Sequence, residues 1–527
     1  MTNSIEEIGD AGCVFAIGTN TTEDHPVIAL QVKRAVDRGA KLIVADPRQI
    51  GLCGMAHVWL RHRPGTDVAL IMGMARVIVD EGLLDQEFVD ARCENFDEFR
   101  DSLSEFDLDR VSRITGVPAS TIAEAARVYA TNRPSSILYA MGITQSSHGT
   151  DNVLALANLA MLTGNVGVPS SGVNPLRGQN NVQGACDVGA LPNVYPGYQA
   201  VSNPAIKEKF EEAWGCSLSD RPGLTLTDML DAAYRGQVKA IYLMGENPVL
   251  SDPDANHVEE ALGRLEFLVV QDIFLTETAR LADVVLPATS FAEKEGTFTN
   301  TERRVQRLHR AVAPAGDSRP DWQIVCDIAR RMGAKDFAYN SASEIMGEIA
   351  ELTPAYGGIT YERIEEAGLQ WPCPFDDHPG TKYLHEGIFA RGKGKFTPLE
   401  YRPPQEQPDD KYPLVLTTGR SLYHFHTGTM TRKAKGLNEL KGEGEIEINP
   451  QDAEALKIAH GDKVQVASRR GKITARANVT ESSPAGVVFM TFHFAESPVN
   501  QLTNPALDPV SKIPEFKVCA VRVEKVK

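Results

Sequence analysis

Two glycine–aspartate pairs and one arginine carry most of the chemistry this sequence offers. The run "FAIGTN" reaches its turn at Gly18 and "IVADPR" ends at the acid Asp46; "YLMGEN" and "VVQDIF" repeat the arrangement at Gly245 and Asp272. The separation is 28 residues in the first case and 27 in the second. A glycine at the carboxyl end of a strand lets a phosphate approach the backbone, and an acid at the end of the next strand can bond a sugar or base. Neither pair sits in a full G-x-G-x-x-G, so a nicotinamide dinucleotide is not indicated. The repetition points to two nucleotides, or to one ligand with two nucleotide ends. Arg177 lies in "NPLRGQNNVQGACDVGALP", residues 174 to 192, an irregular stretch crowded with amide side chains. Such a loop can line a cleft with donors and acceptors, and a guanidinium in it suits a carboxylate or phosphate.

The elements that must position these residues follow from the pattern. "CVFAIGTN", "HPVIALQVKRAVDRGA" and "KLIVADPR" read as strand, helix and strand, a unit of a parallel sheet. "GTDVALIMGMARVIVDEGLL" reads as a buried helix with Thr66 as N-cap, "PASTIAEAARVYATN" as another helix, and "SSILYAMG" as a third strand. "KAIYLMGENP", "ANHVEEALGRL" and "EFLVVQDIF" repeat the strand–helix–strand unit, so the chain carries an internal duplication. "TPLEYRPPQEQPDDKYP" reads as a linker. Beyond it, short strands and the hairpin "SRRGK" crowd into what reads as a small β-barrel of roughly 130 residues. The cluster Arg61, His62 and Arg63 reads as a solvated face, and Asp321 as a helix N-cap.

Composition excludes several classes. At 527 residues, with a 42% apolar fraction, the chain is a globular protein of several domains. A formal charge of −16 argues against a nucleic-acid surface. No apolar run reaches the ~18 residues of a membrane span. The eight cysteines form no C-x-x-C pair, so this chain alone is not expected to hold zinc or an iron–sulfur cluster, and no metal ligand is assigned. Scattered thiols imply a reducing, cytoplasmic setting. His424 and His426 in "YHFHTGTM" look like a metal pair but equally suit ligand contacts or a polar surface.

With these residues in hand, the chain resembles the molybdopterin oxidoreductases, and within them the large, alpha subunits of formate dehydrogenases. The likeness is carried by "GTNTTEDHP", "VADPR", "PGTDVAL", "MGITQ", "NLAMLTGNVG", "GVNPLRGQNNVQGACDVGALP", "MGENP", "VVQDIF", "ADVVLP", "EGTFTNTERRVQ", "DWQI" and "NQLTNPALDPVSKIPEFKVCAVRV", in that order along the whole chain. The resemblance implies an α/β fold in which two pseudo-twofold-related parallel-sheet nucleotide-binding domains, 1–178 and 179–390, precede a C-terminal barrel of double-psi type, 391–527. It implies bis-molybdopterin guanine dinucleotide carrying molybdenum or tungsten. Gly18, Asn20, Glu23, Asp46, Arg48, Gly65 and Asp67 would surround one dinucleotide. Gly245, Glu246, Asn247, Gln271, Asp272 and Thr276 would surround the other. Thr418, Arg420, His424, Asn500 and Lys517 would cap the pterins, with Met141, Gly142 and Gln145 on the metal side and Gln179 in the cleft loop. Arg177 aligns with the active-site arginine, which would hold formate while it is oxidised to carbon dioxide.

The resemblance also implies a [4Fe-4S] segment and a selenocysteine or cysteine metal ligand ahead of Met1, and neither is in this sequence. The expectation is a reading frame begun after a selenocysteine codon, with a separate subunit of a split complex as the alternative. The isolated chain is then expected to be inactive. Partners would be iron–sulfur or flavin electron-transfer subunits. The alternatives to formate dehydrogenase are a nitrate-reductase-like relative and a non-catalytic cofactor-binding subunit.

Overall fold

Strand β1 (Cys13–Ile17) is apolar at every position and wholly buried, the pattern of a strand covered on both faces. In the computed structural model, which describes residues 1–526, it lies at the centre of a parallel five-stranded sheet. Helix α1 (Pro26–Asp37) follows, then β2 (Lys41–Ala45), β3 (Val58–Leu60), α2 (Asp67–Asp80), α3 (Ala119–Thr131), β4 (Ser135–Tyr139), α4 (Gly149–Leu162) and β5 (Gly172–Pro175). The sheet order is β3-β2-β1-β4-β5, with every neighbouring pair parallel. Alternate residues of β1 and β2 divide between two cores. Phe15, Ile17 and Ile43 join the helices α2, α3 and α4 on one side, while Val14, Ala16, Leu42 and Val44 meet α1 on the other. Helix α1 buries Ile28, Ala29, Val32 and Ala35, a one-sided spacing, and begins at Pro26, whose missing N–H costs nothing there. Helix α2 is buried almost all round.

This sheet belongs to a compact unit made of Met1–Gly178, Leu250–Ala255 and Tyr383–Lys527. The last segment contains the barrel, whose strands are β12 (Leu414–Gly419), β13 (Glu445–Ile448), β14 (Lys463–Ala467), β15 (Lys472–Val479), β16 (Val487–Thr491) and β17 (Cys519–Lys525). It closes in the order β12-β16-β13-β15-β14-β17 around Leu416, Ile446, Val464, Val488 and Met490. The hairpin expected at "SRRGK" joins β14 to β15. The segment read as a linker does not hang free: Leu399 enters the core that α2 shares, and Glu406 is buried against Arg469 and Arg470.

The second compact unit, Gln179–Val249 with Asn256–Lys382, holds a smaller parallel sheet. Its strands β6 (Ala240–Met244), β7 (Phe267–Asp272) and β8 (Val284–Pro287) lie in the order β8-β7-β6. Leu268 and Val270 pack with Val258, Ala261 and Leu262 of the connecting helix. An antiparallel sheet of β9 (Gly296–Thr299), β10 (Arg304–Leu308) and β11 (Leu369–Gln370) has its own core at Val305, Tyr356 and Ile359. Among the described residues no helix is long and apolar enough to cross a membrane.

Candidate functional site

In the first unit the strand order proceeds from β1 to β2 on one side and to β4 on the other, so the winding reverses between β1 and β4. Open parallel sheets bind ligands outside the carboxyl ends of the strands at such a reversal. Gly18 is the first residue past β1, and Met141–Gly142 follow β4 almost at once. The Gly142 N–H donates to the Gly18 carbonyl at 3.0 Å. A Cβ on Gly142 would lie 2.5 Å from the Gly18 Cα, a separation real side chains do not tolerate. The two turns border a cleft of about 950 Å³, part of it open to solvent. Asn20, Asp46, Arg48, Gly65 and Asp67 line it from the sheet side, and Thr418, Arg420 and Lys517 from the barrel. The barrel residues arrive there because β12 ends at Gly419, which aims Thr417 to Arg420 at the sheet.

The cleft's cations are held by partners of unequal kind. Arg48 makes a two-pronged bond to Glu447 of β13 at 3.1 and 2.8 Å, and its guanidinium lies 3.4 Å from the centre of the Phe489 ring. The Lys517 ammonium donates to the Thr418 carbonyl at 2.6 Å. Burial, with Arg420 and Arg48 nearby, outweighs the pull of Asp24 and Asp46 and brings its pKa down to about 8. Burial raises the Asp46 carboxyl, although it accepts the Arg48 N–H at 2.9 Å and feels the Arg48 charge. Asp24 is raised by burial against the pull of Arg420. His62 and Asp67 form a buried pair at 3.0 Å. Burial opposes the imidazolium there, but the Asp67 charge and hydrogen bond and the Leu60 carbonyl together raise the pKa of His62. Several buried polar atoms of the cleft and its rim meet no partner among the described residues: the Thr19 and Thr21 hydroxyls, Asp24 Oδ1, His25 Nδ1 and Arg420 Nη2.

The second unit repeats the first turn in detail. Gly18 and Gly245 both have left-handed backbones, with φ of 57° and 66°. Each donates its N–H to the carbonyl of the residue just before the acid, Gly18 to Ala45 at 3.0 Å and Gly245 to Gln271 at 2.9 Å. Each acid then accepts a backbone N–H two residues on, from Arg48 to Asp46 at 2.9 Å and from Phe274 to Asp272 at 3.1 Å. Burial raises the Asp272 and Glu246 carboxyls as well. Asn247 Oδ1 accepts from the backbone and hydroxyl of Thr278 and its Nδ2 donates to Glu277, while Thr276 caps the turn through Ala279. Gln271 donates to Asp321 at 2.8 Å, and Lys294 pairs with the same carboxylate. Asp321 is the first residue of its helix, after the N-cap Pro320, and its carboxylate serves Gln271 and Lys294 instead of capping that helix.

Some residues singled out in the sequence stand outside the first cleft. Glu23 is next to it, its carboxyl raised by burial against the pull of Arg48. Gln145 ends the turn after β4, and Gln179 begins the second unit. Both ring nitrogens of His424 are engaged, by Thr431 and by the Lys441 carbonyl, and Asn500 bonds the carbonyls of Leu250 and Ser251. The Arg177 carbonyl accepts from His25 at 2.9 Å, and its flanking residues Leu176 and Gly178 line the cleft. The reading of Arg61–Arg63 as a solvated face is corrected: His62 is buried, because Asp67 at the start of α2 supplies a charge for it. Thr66 occupies the expected N-cap position, but its hydroxyl donates to the Arg63 carbonyl. Thr19, Asp24 and His25 were missed although they lie within "GTNTTEDHP". Phe489 and Phe492 carry no signal beyond an apolar strand.

A strand–glycine turn recurs in the two units, and the first unit adds a cation-lined cleft and a closed barrel. The family profile Molybdopterin oxidoreductase matches residues 1–331, and the profile Molydopterin dinucleotide binding domain matches residues 414–520. The chain belongs to the molybdopterin oxidoreductase family. It is 53% identical over 529 residues to the F420-dependent formate dehydrogenase subunit alpha of Methanocaldococcus jannaschii, spanning 100% of this chain and 78% of that one. It is 43% identical over 533 residues to formate dehydrogenase H of Escherichia coli, spanning 100% and 74%. The assimilatory nitrate reductase catalytic subunit of Bacillus subtilis is 38% identical over 537 residues, spanning 99% and 76%. Acetylene hydratase from Pelobacter acetylenicus shares the fold at a TM-score of 0.77 and 21% identity, over 99% of this chain and 81% of that one.

Proposed function

We propose that the chain is the molybdopterin-binding part of a formate dehydrogenase alpha subunit and binds bis-molybdopterin guanine dinucleotide with molybdenum or tungsten. The observation that carries this reading is the cleft at the strand reversal, with unpartnered donors on its walls and the same glycine–acid turn repeated in the second unit. The donor set fits the group. Arg420 and Lys517 suit its phosphates, the Gly18 turn allows the close backbone approach a pyrophosphate needs, and Asp46 suits a sugar or base. In the second unit Gly245 and Asp272 would play the corresponding parts, with Glu246, Asn247, Gln271 and Thr276 around them. Thr418, His424 and Asn500 would brace the barrel side, and Met141, Gly142, Gln145 and Gln179 the approach to the reacting centre.

The reaction is HCOO⁻ to CO₂, H⁺ and two electrons. When bound, the molybdopterin supplies the redox centre that accepts the electron pair. The chain's own task is orientation. The Arg177 guanidinium would grip the formate carboxylate through two parallel N–H bonds and leave the C–H as the exposed end. Burial pushes the Tyr139 hydroxyl up to about 12 even with Arg177 nearby, so it places no phenolate charge beside that guanidinium. Electrons would leave to iron–sulfur or flavin partner subunits. A cytoplasmic setting accords with eight cysteines scattered along the chain without a C-x-x-C pair.

The test is the chain produced in a host that makes the cofactor, assayed for metal, for guanine nucleotide released on denaturation, and for formate-dependent viologen reduction by its native complex. Arg177→Lys in that complex keeps the charge but loses the fork, so kcat/KM for formate should fall by about 10²-fold or more. Nitrate turnover in place of formate turnover would overturn the assignment.

A further inference from the structure

His25 is the cleft-lining residue whose hydrogen bonds are most informative. It follows Asp24 and immediately precedes α1. Its Nε2 lies 2.9 Å from the Arg177 carbonyl oxygen. A carbonyl only accepts, so Nε2 carries the hydrogen. Its Nδ1 is buried and meets no donor among the described residues. Burial and the Arg420 guanidinium from the barrel oppose a second proton, and they outweigh the Arg177 carbonyl and Asp24, which favour one. The ring is therefore neutral, with Nε2 protonated and Nδ1 bare.

We propose that His25 is a positioning residue that fixes the main chain at Arg177 through Nε2–H and offers Nδ1 as an acceptor to an N–H or O–H of the ligand in the cleft. The second part rests on the cofactor reading above; the first does not. Among the unpartnered atoms around it, Arg420 Nη2 is a donor, suited to anionic oxygens, and the Thr19 hydroxyl can serve either way. A bare imidazole nitrogen adds a different demand, because a phosphate ester has nothing to give it. It favours a nitrogen heterocycle carrying its own N–H beside the phosphate. The same ring joins that recognition to the segment bearing Arg177, the residue proposed to hold the substrate.

The experiment uses the full chain labelled with ¹⁵N-histidine, made once in a host lacking molybdopterin synthesis and once in a host that supplies the cofactor. The signals of His25 are those absent from His25→Gln. Long-range ¹H–¹⁵N spectra of the cofactor-free chain at about pH 8 should show a protonated Nε2 and a bare Nδ1, with the second protonation falling below the ordinary 6.5. Loading should shift Nδ1 as it accepts a hydrogen bond and leave Nε2 in place. Backbone hydrogen exchange at Arg177 and Gly178 should rise about tenfold in His25→Leu, as expected for a lost hydrogen bond. It should stay near wild type in His25→Gln, whose amide can still donate to the carbonyl. A hydrogen on Nδ1, or unchanged exchange in His25→Leu, overturns the positioning role. An Nδ1 signal identical with and without cofactor overturns the acceptor role. If the chain from the competent host carries no molybdopterin at all, the cofactor reading and the acceptor role fall together, while the tautomer and exchange results still decide the rest.

Discussion

A single added methyl group distinguishes the two glycine turns, because they share a conformation but not their surroundings. At Gly245 a Cβ would meet nothing within 4 Å, so Gly245→Ala costs only the left-handed backbone, about 1–2 kcal/mol. At Gly18 the same Cβ would lie 2.9 Å from the Gly142 carbonyl carbon and the Ile143 nitrogen, which adds overpacking. Gly18→Ala should therefore cost about 2–4 kcal/mol, read as a lower denaturant midpoint at unchanged slope, and should lower cofactor content as well. Lys517 gives the second test at this scale. Its folded pKa of about 8 lies below the ordinary 10.5, so between those values the unfolded chain binds a proton that the folded chain does not. Stability contributed by this group must then rise with pH across that window. Urea denaturation from about pH 7 to about pH 10.5 should show the rise in the wild type and a flatter profile in Lys517→Met. A steeper profile in the variant would show that the ammonium is not destabilised by its place beside Arg420 and Arg48.

Elements decide which of these side chains can meet. Helix α2 begins at Asp67, and its first turn holds a carboxylate against His62, so the buried pair fastens the helix to the segment that follows β3. Removing one member of such a pair leaves an uncompensated buried group, and His62→Ala should cost about 3 kcal/mol in denaturant melts. The pH dependence has a fixed sign. The folded pKa of His62 is raised, so its stabilisation is full below the ordinary 6.5 and is lost as pH rises through the raised folded value. The gap between wild type and His62→Gln should narrow with rising pH. This pair also shows why parts of the site were hidden in the sequence. β1, β2 and β4 are continuous apolar runs and α1 has a one-sided spacing, so their pattern alone reveals them. His62 sits between two arginines five residues before its partner, and nothing local marks it as buried. Phe489 is one apolar residue among several in β16. Only the closing of the barrel decides that Val488 and Met490 face inward while Phe489 lies against Arg48. Contacts between residues 399 positions apart, such as Arg48 with Glu447, have no local signature at all.

At the scale of the whole molecule, three segments that look independent along the chain form two compact units. The reason lies in what ties the barrel to the first sheet. Arg48 bonds Glu447, the Ser147 N–H donates to the buried Glu515 at 3.1 Å, Thr150 donates twice to Asp508, and the Gln49 N–H donates to the Ser482 carbonyl at 2.8 Å. Several of these groups are buried or partly buried, so separating the barrel would strand charged acceptors such as Glu515 without their donors, a penalty of about 1–3 kcal/mol for each. The second unit has two cores of its own, around Val270 and around Tyr356. Two-state unfolding is not expected of the whole chain, so the denaturant effects at Gly18, His62 and Lys517 belong to the transition of the first unit, which holds all three. Calorimetry of the cofactor-free protein should resolve two transitions, with the barrel melting together with the first sheet. A ligand seated in the cleft, whose walls all belong to the first unit, must raise that unit's transition by an amount that grows with the logarithm of its concentration over Kd. The first transition to identify is therefore the one that Gly18→Ala lowers and Gly245→Ala leaves in place. If both substitutions move the same transition, or if a third transition follows the barrel alone, the cooperative units are not the two described.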